Sequence, residues 1–273
     1  MLTLPDPVRQ PRARGELAVS ARLRAGRSRI ATLRQQGSFK ALFPHGSGPT
    51  LQAVFLNTAG GVTGGDRFAL RAAVEPGARM ALTSQAAERI YRAQPGETGR
   101  VRTSLRIAAG GRIDWLPQET IVFDKAALDR RLDVGLDDDG CLLAVEPLVF
   151  GRLAMGERVR AGRITDRWQV RRGGRLVFAD CLRLDGDIDA LLARPGVADG
   201  NRALASILYV GRDADRFLAP LRAALGPLGG ASLVRDGVLF ARALAPEAWD
   251  LRRNLIPAIR LLSGAELPRP WML

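Results

Sequence analysis

Side chains suited to nucleophilic or acid–base chemistry near neutral pH are scarce in this chain, which has one histidine, His45, and two cysteines, Cys141 and Cys181. Histidine is the commonest general base in that range. His45 sits in the turn-like run Pro44-His45-Gly46-Ser47-Gly48-Pro49, the setting of an exposed loop residue. No Gly-x-Ser-x-Gly elbow occurs, which removes the usual frame for acyl transfer. The cysteines lack a partner spacing for zinc or redox chemistry and read as buried free thiols. Tight nickel or zinc sites gather imidazole and thiolate, so metal storage is equally poorly supplied.

Carboxylates are what remain. Asp66, Glu119, Asp124, Glu146 and Glu157 each lie at or just after an apolar segment. The plain reading is strand-end and turn acids paired to nearby arginines. Asp66 closes Gly60-Gly61-Val62-Thr63-Gly64-Gly65-Asp66, where paired glycines permit a tight turn or a close backbone approach. It is not a phosphate loop, since no Gly-Lys-Ser/Thr follows and Asp66 would repel phosphate. Nor is it a dinucleotide fingerprint, because the spacing is wrong and the next residues alternate like a strand. On its own the motif is a structural turn.

The elements that must hold these acids read as β-structure. From Leu17 to Leu23 apolar residues fall at every second position, the period of a half-buried strand. A unit of strand, glycine turn and second strand then recurs over 70–85, 103–118, 131–146 and 168–180. Its turns lie at intervals of roughly 30 residues, which suggests stacked coils sharing one core, with a plain meander as the other possibility. Two segments read as helix: 213–225, with Phe217, Leu218, Leu221 and Leu225 on one face, and 246–262, with Trp249, Ile256, Ile259 and Leu262 and a kink near Pro257. The stretch 185–212 is ambiguous between loop and strand. We expect a mainly β chain of one domain, 1–273, with 1–16 a flexible N-terminal segment.

Composition adds bounds. With 273 residues, 47% of them hydrophobic, the chain can bury a sizeable core. No apolar run reaches the roughly 20 residues needed to span a bilayer, and no signal-peptide region is evident, so a cytoplasmic protein is the default expectation. The net charge is +13, carried almost wholly by arginine. Its densest run is Arg12, Arg14, Arg22, Arg24, Arg27, Arg29 and Arg34, with Glu16 as the counter-charge and no aromatic residue for base stacking. A solvated or protein-docking face is the preferred reading over a nucleic-acid site.

Four ordered blocks carry a resemblance. They are the glycine loop, Leu82-Thr83-Ser84-Gln85-Ala86-Ala87-Glu88-Arg89-Ile90-Tyr91-Arg92, Trp115-Leu116-Pro117-Gln118-Glu119-Thr120-Ile121-Val122-Phe123-Asp124, and Glu146-Pro147-Leu148-Val149-Phe150-Gly151-Arg152-Leu153-Ala154-Met155-Gly156-Glu157; the Arg269-Pro270-Trp271 ending matches too. Together they resemble the urease accessory protein UreD (UreH) family over most of 17–273. The resemblance implies an elongated, β-helix-like stack of strands with two C-terminal helices. It also implies a non-enzymatic scaffold that works with UreF and UreG on the urease apoprotein and gives Ni²⁺ passage, with no tightly bound cofactor. On that footing Asp66, Glu119, Asp124, Glu146 and Glu157 are candidates to line a transient nickel path, framed by Gln85, Arg89 and Tyr91. Trp249, Arg269 and Trp271, with the two helices, are candidates to dock UreF. A passage must bind its ion weakly enough to release it, and oxygen ligands suit that better than thiolates.

Two rivals from other classes stand beside this reading. A carbohydrate-active enzyme on a β-helix would use paired carboxylates at set separations, but aromatic platforms are few, at 5% of residues. A basic nucleic-acid-binding module rests on charge alone.

Overall fold

The computed structural model describes residues 11–46 and 48–272. Among these residues seventeen strands form two sheets. One sheet has seven strands in the order β14-β13-β11-β8-β5-β1-β2: Arg175–Gly186, Gly162–Arg172, Ala127–Leu136, Gly99–Ile107, Arg67–Val74, Arg14–Arg24 and Arg27–Gly37. The other runs β16-β17-β15-β12-β9-β6-β4-β3: Gly229–Arg235, Val238–Ala245, Ala203–Val210, Cys141–Phe150, Arg112–Trp115, Arg79–Ser84, Leu51–Asn57 and Phe39–Leu42. The short strands β7 (Glu88–Ile90) and β10 (Thr120–Val122) attach to it beside β12.

The stacked coils are present. Each of β5–β6, β8–β9 and β11–β12 crosses from the first sheet to the second through a turn, and like strands of successive coils pair in parallel. Alternation along β5 sends Phe68, Leu70, Ala72 and Val74 inward, and along β11 sends Leu128, Leu132, Val134 and Leu136 inward. These side chains fill the core between the sheets. A fully buried Leu is worth about 2 kcal/mol over an exposed one.

The fourth repeat, 168–180, departs from the pattern. Its two strands, β13 and β14, pair antiparallel within one sheet and do not cross. The cause is the two-residue turn, where Gly173 has φ 54° and Gly174 φ 78°; two successive positive φ values make the primed turn whose twist suits a hairpin. Ala25 and Gly26, with φ 49° and 72°, do the same between β1 and β2. Antiparallel hairpins therefore close the stack at both edges of this sheet.

A second core lies on the outer side of the larger sheet. There α2 (Leu218–Leu225), entered through a 3₁₀ turn at Ala214–Phe217, and α3 (Ala248–Ser263) bury Leu221, Leu225, Leu251, Leu255, Ile259 and Leu262 against β12, β15 and β17. Both late helices occupy the expected segments, and α3 runs on through Pro257. The ambiguous stretch resolves into α1 (Ile188–Leu192) and β15. Strand β1 begins at Arg14, so β-structure reaches into the last residues of 1–16, while residues 1–10 lie outside the described residues. The cysteines differ from expectation: Cys181 is exposed on edge strand β14 and Cys141 is half-buried. No helix among the described residues is long and apolar enough to cross a membrane. Among the described residues no helix covers the outer face of the seven-stranded sheet.

Candidate functional site

The glycine loop explains itself once β7 is in place. A side chain at Gly61 would meet the Tyr91 ring at 2.4 Å and the Arg89 carbonyl at 2.6 Å, so only glycine lets the loop lie against β7. Val62 N–H donates to the Arg89 carbonyl at 2.8 Å, and the Tyr91 hydroxyl donates to the Gly60 carbonyl at 3.2 Å. At the loop's end the Asp66 carboxylate accepts the N–H groups of Ala13 and Thr63, each at 2.8 Å. Asp66 thus clamps the loop to the start of β1 and is buried, at 4% exposure.

This packing delivers Glu88. Asn57 Nδ2 donates to the Gly61 carbonyl at 2.9 Å and to Glu88 Oε1 at 3.3 Å. Burial pushes the Glu88 carboxyl up to about 7, against the opposing hydrogen bond from Asn57. Glu88 borders two spaces. Outside is a surface depression of about 230 Å³, lined by Gln85, Arg89, Asn57 and Ser84 among others. Inside, between the sheets, is a cavity of about 60 Å³ whose polar lining is Ser84, Glu88, Thr103, Gln118, Thr120, Arg130 and Glu146. One water needs roughly 10–15 Å³ of such space, so the cavity has room for a few waters or a partly hydrated ion.

A buried charge cluster meets the cavity at Arg130 and Glu146. Arg130 stands at an inward position of β11, directly across from Asp166 on β13. Its Nε and Nη2 donate to the two Asp166 oxygens at 3.0 and 2.6 Å, and Nη2 lies 3.1 Å from Glu146 Oε2. Glu146 also accepts the indole N–H of Trp115 at 2.7 Å and of Trp168 at 3.0 Å. One guanidinium therefore faces two carboxylates, an excess of one negative charge when both are ionised. Burial raises the Glu146 carboxyl above its ordinary range, with Arg130 acting in the opposite direction.

The remaining expected residues fall elsewhere. Glu119 accepts from Arg252 Nη1 at 3.1 Å, and the same nitrogen donates to Gln118 Oε1 at 2.9 Å, so Glu119 ties α3 to the loop that backs the cavity. Asp124 accepts the Ala161 N–H at 2.9 Å, and Glu157 pairs with Arg152 at 2.7 Å. Arg152 in turn covers the Phe123 ring, which meets Tyr91 edge-on. Of the five acids only Glu146 lines the cavity. Gln85 and Arg89 border the outer depression, while Tyr91 braces the glycine loop. Among the described residues no three histidine, cysteine or acidic side chains are grouped to hold a metal.

On the helical side, Trp249 is 67% exposed, and Arg269 is also exposed. Trp271 is fully buried, its indole N–H donating to the Leu116 carbonyl at 2.9 Å and its ring lying under Arg252. It anchors the tail instead of presenting itself to a partner. Sequence reasoning missed Glu88, Arg130 and Asp166. The last two were signalled by charged residues at inward strand positions, in Leu128-x-Arg130-x-Leu132 and Ile164-x-Asp166-x-Trp168.

Comparison with known proteins gives a consistent result. The family model described as UreD urease accessory protein matches residues 13–272. A urease accessory protein UreD from Ruegeria pomeroyi is 50% identical over 89% of this chain and 95% of its own length. Those of Roseobacter denitrificans and Rhizobium rhizogenes are 46% and 48% identical, each covering 97% or more of both chains. These relatives are named for an accessory role and not for a catalysed reaction, which sets the carbohydrate-enzyme reading aside. The chain belongs to the UreD urease accessory protein family.

Proposed function

We propose that this chain passes Ni²⁺ to the urease apoprotein through the gap between its two sheets, receiving it from a complex that includes UreF and UreG. The observation that carries this reading is the position of Glu88, shared by the outer depression and the inner cavity, with Glu146, two strands away on the same sheet, also lining that cavity. Nickel is cargo here. The unbalanced negative charge at Arg130, Glu146 and Asp166 attracts a cation, and Glu146 settles that charge with a proton or with the passing ion. Oxygen donors hold Ni²⁺ less firmly than thiolate or imidazole, which suits release.

The exposed stripe of α3, with Trp249, Arg253 and Arg260, supplies the side-chain types that dominate docking faces, and we assign it to UreF. Asp66, Glu119, Asp124 and Glu157 support the path by holding the loops and helix around it. The reading places the protein in the cytoplasm, where these partners would act.

The test is nickel loading of urease apoprotein reconstituted with UreF, UreG and this chain. Glu146→Gln and Glu88→Gln are each expected to cut urease nickel content several-fold while complex formation is retained. Normal loading by the folded double variant would overturn the path.

A further inference from the structure

The outer face of the seven-stranded sheet is not uniformly charged. On its β11 and β13 half, arginines are matched by acids: Asp129 pairs with Arg102 and Arg167, and Asp133 with Arg131. On β1, β2 and β5, and at Arg100 on β8, they are not. Arg14, Arg67 and Arg100 are in register on three adjacent parallel strands and share the outward face. Neighbouring strands lie about 4.8 Å apart, so three like charges stand side by side. Arg22 and Arg29 form another in-register pair. None of these five has an ion-pair partner among the described residues; Glu16 lies two residues along β1 from Arg14, and Asp129, in register with Arg100, is taken up by Arg102 and Arg167.

Like charges directly opposite one another on a sheet destabilise it. A folded chain that keeps such a row forgoes stability that alanine or a mixed-charge row would supply, and an anion laid across it reverses the sign of the effect. A shallow groove of about 330 Å³ runs between Arg14, Arg67 and Arg100 over a floor of Gly15 and Ala69. The small floor residues let another backbone approach, and guanidinium forks match carboxylates bidentately.

We propose that this half-face docks an acidic protein surface, with carboxylates seated along the Arg14–Arg67–Arg100 row. The outward positions of β1, β5 and β8 hold arginine, glutamate, alanine and serine and no aromatic side chain, so the stacking platform of a single-stranded nucleic-acid site is missing. The site is separate from the nickel path, and its failure would leave that reading intact.

The test uses the full chain and two labelled probes, polyglutamate of about twenty residues and polyuridylate of about twenty nucleotides, in roughly 0.1 M salt. The variant Arg14→Ala, Arg67→Ala, Arg100→Ala is compared with a charge-matched control, Arg175→Ala, Arg194→Ala, Arg212→Ala. We expect the row variant to weaken polyglutamate binding by about tenfold or more and the control by less than about twofold. Equal loss in both variants, no binding by the parent, or tighter binding of polyuridylate would each overturn the proposal. A second readout needs no ligand: the row variant's Tm should hold or rise, and a fall of more than about 5 °C would show that the arginines serve the sheet itself.

Discussion

Arg130 and Asp166 face each other across two parallel strands and join by two hydrogen bonds inside the core, at positions where the alternation of both strands otherwise places leucine, isoleucine, tryptophan and valine. Removing one member of a buried ion pair leaves the other charge stranded, at a cost of about 3–5 kcal/mol. Arg130→Ala should therefore lower unfolding free energy by that amount in urea titration. Replacing Arg130, Glu146 and Asp166 together by apolar residues of similar volume should recover most of the stability while abolishing nickel transfer, which separates the cluster's structural role from its proposed electrostatic one.

Glu88 gives a pH signature. Its folded pKa, about 7, lies above its ordinary value of 4.5. The unfolded chain thus releases the proton first, and stability is full below about pH 4.5 and lost as pH rises through 7. A displacement of that size is worth up to about 3 kcal/mol, trimmed to about 2 by partial exposure. Glu88→Gln should flatten the stability profile between pH 5 and pH 8 by about that amount, as read by denaturant melts at the two pH values.

Asp66 should behave as a clamp. Both of its oxygens accept backbone N–H groups in a buried setting, so Asp66→Ala leaves two donors unpaired and costs about 2–3 kcal/mol. Hydrogen exchange should report faster opening at Ala13 and Thr63. A loss of nickel loading in this variant, corrected for the unfolded fraction, should be small.

The two C-terminal tryptophans should separate cleanly. Trp271→Ala empties a buried site and breaks the bond to Leu116, costing about 3–5 kcal/mol in stability. Trp249→Ala should change stability by less than about 0.5 kcal/mol yet weaken the UreF complex in a pull-down. An unchanged complex would remove Trp249 from the docking face.

The coiled architecture was legible because each coil repeats the same period-two alternation around a glycine turn, and both late helices because Gly226 and the Trp249 to Leu262 spacing mark their ends and faces. The fourth unit was misread as another coil because strand, turn and strand look alike in sequence. The difference lay in Gly173-Gly174, a pair that demands a two-residue hairpin. Glu146 was found through the family resemblance. Arg130 and Asp166 were visible through parity alone, but a charged residue at an inward position reads as noise until its partner strand is known. Glu88 lies on a three-residue strand, too short for any period to show which way it points.

The reversed strands at both margins of the seven-stranded sheet also bear on self-association. A repetitive parallel ladder invites another molecule to continue it indefinitely, as fibrils do. At these margins an incoming parallel rung meets a strand running the opposite way, with a different hydrogen-bond spacing. The fold thereby denies an uninterrupted parallel ladder a matching rung at either margin of this sheet.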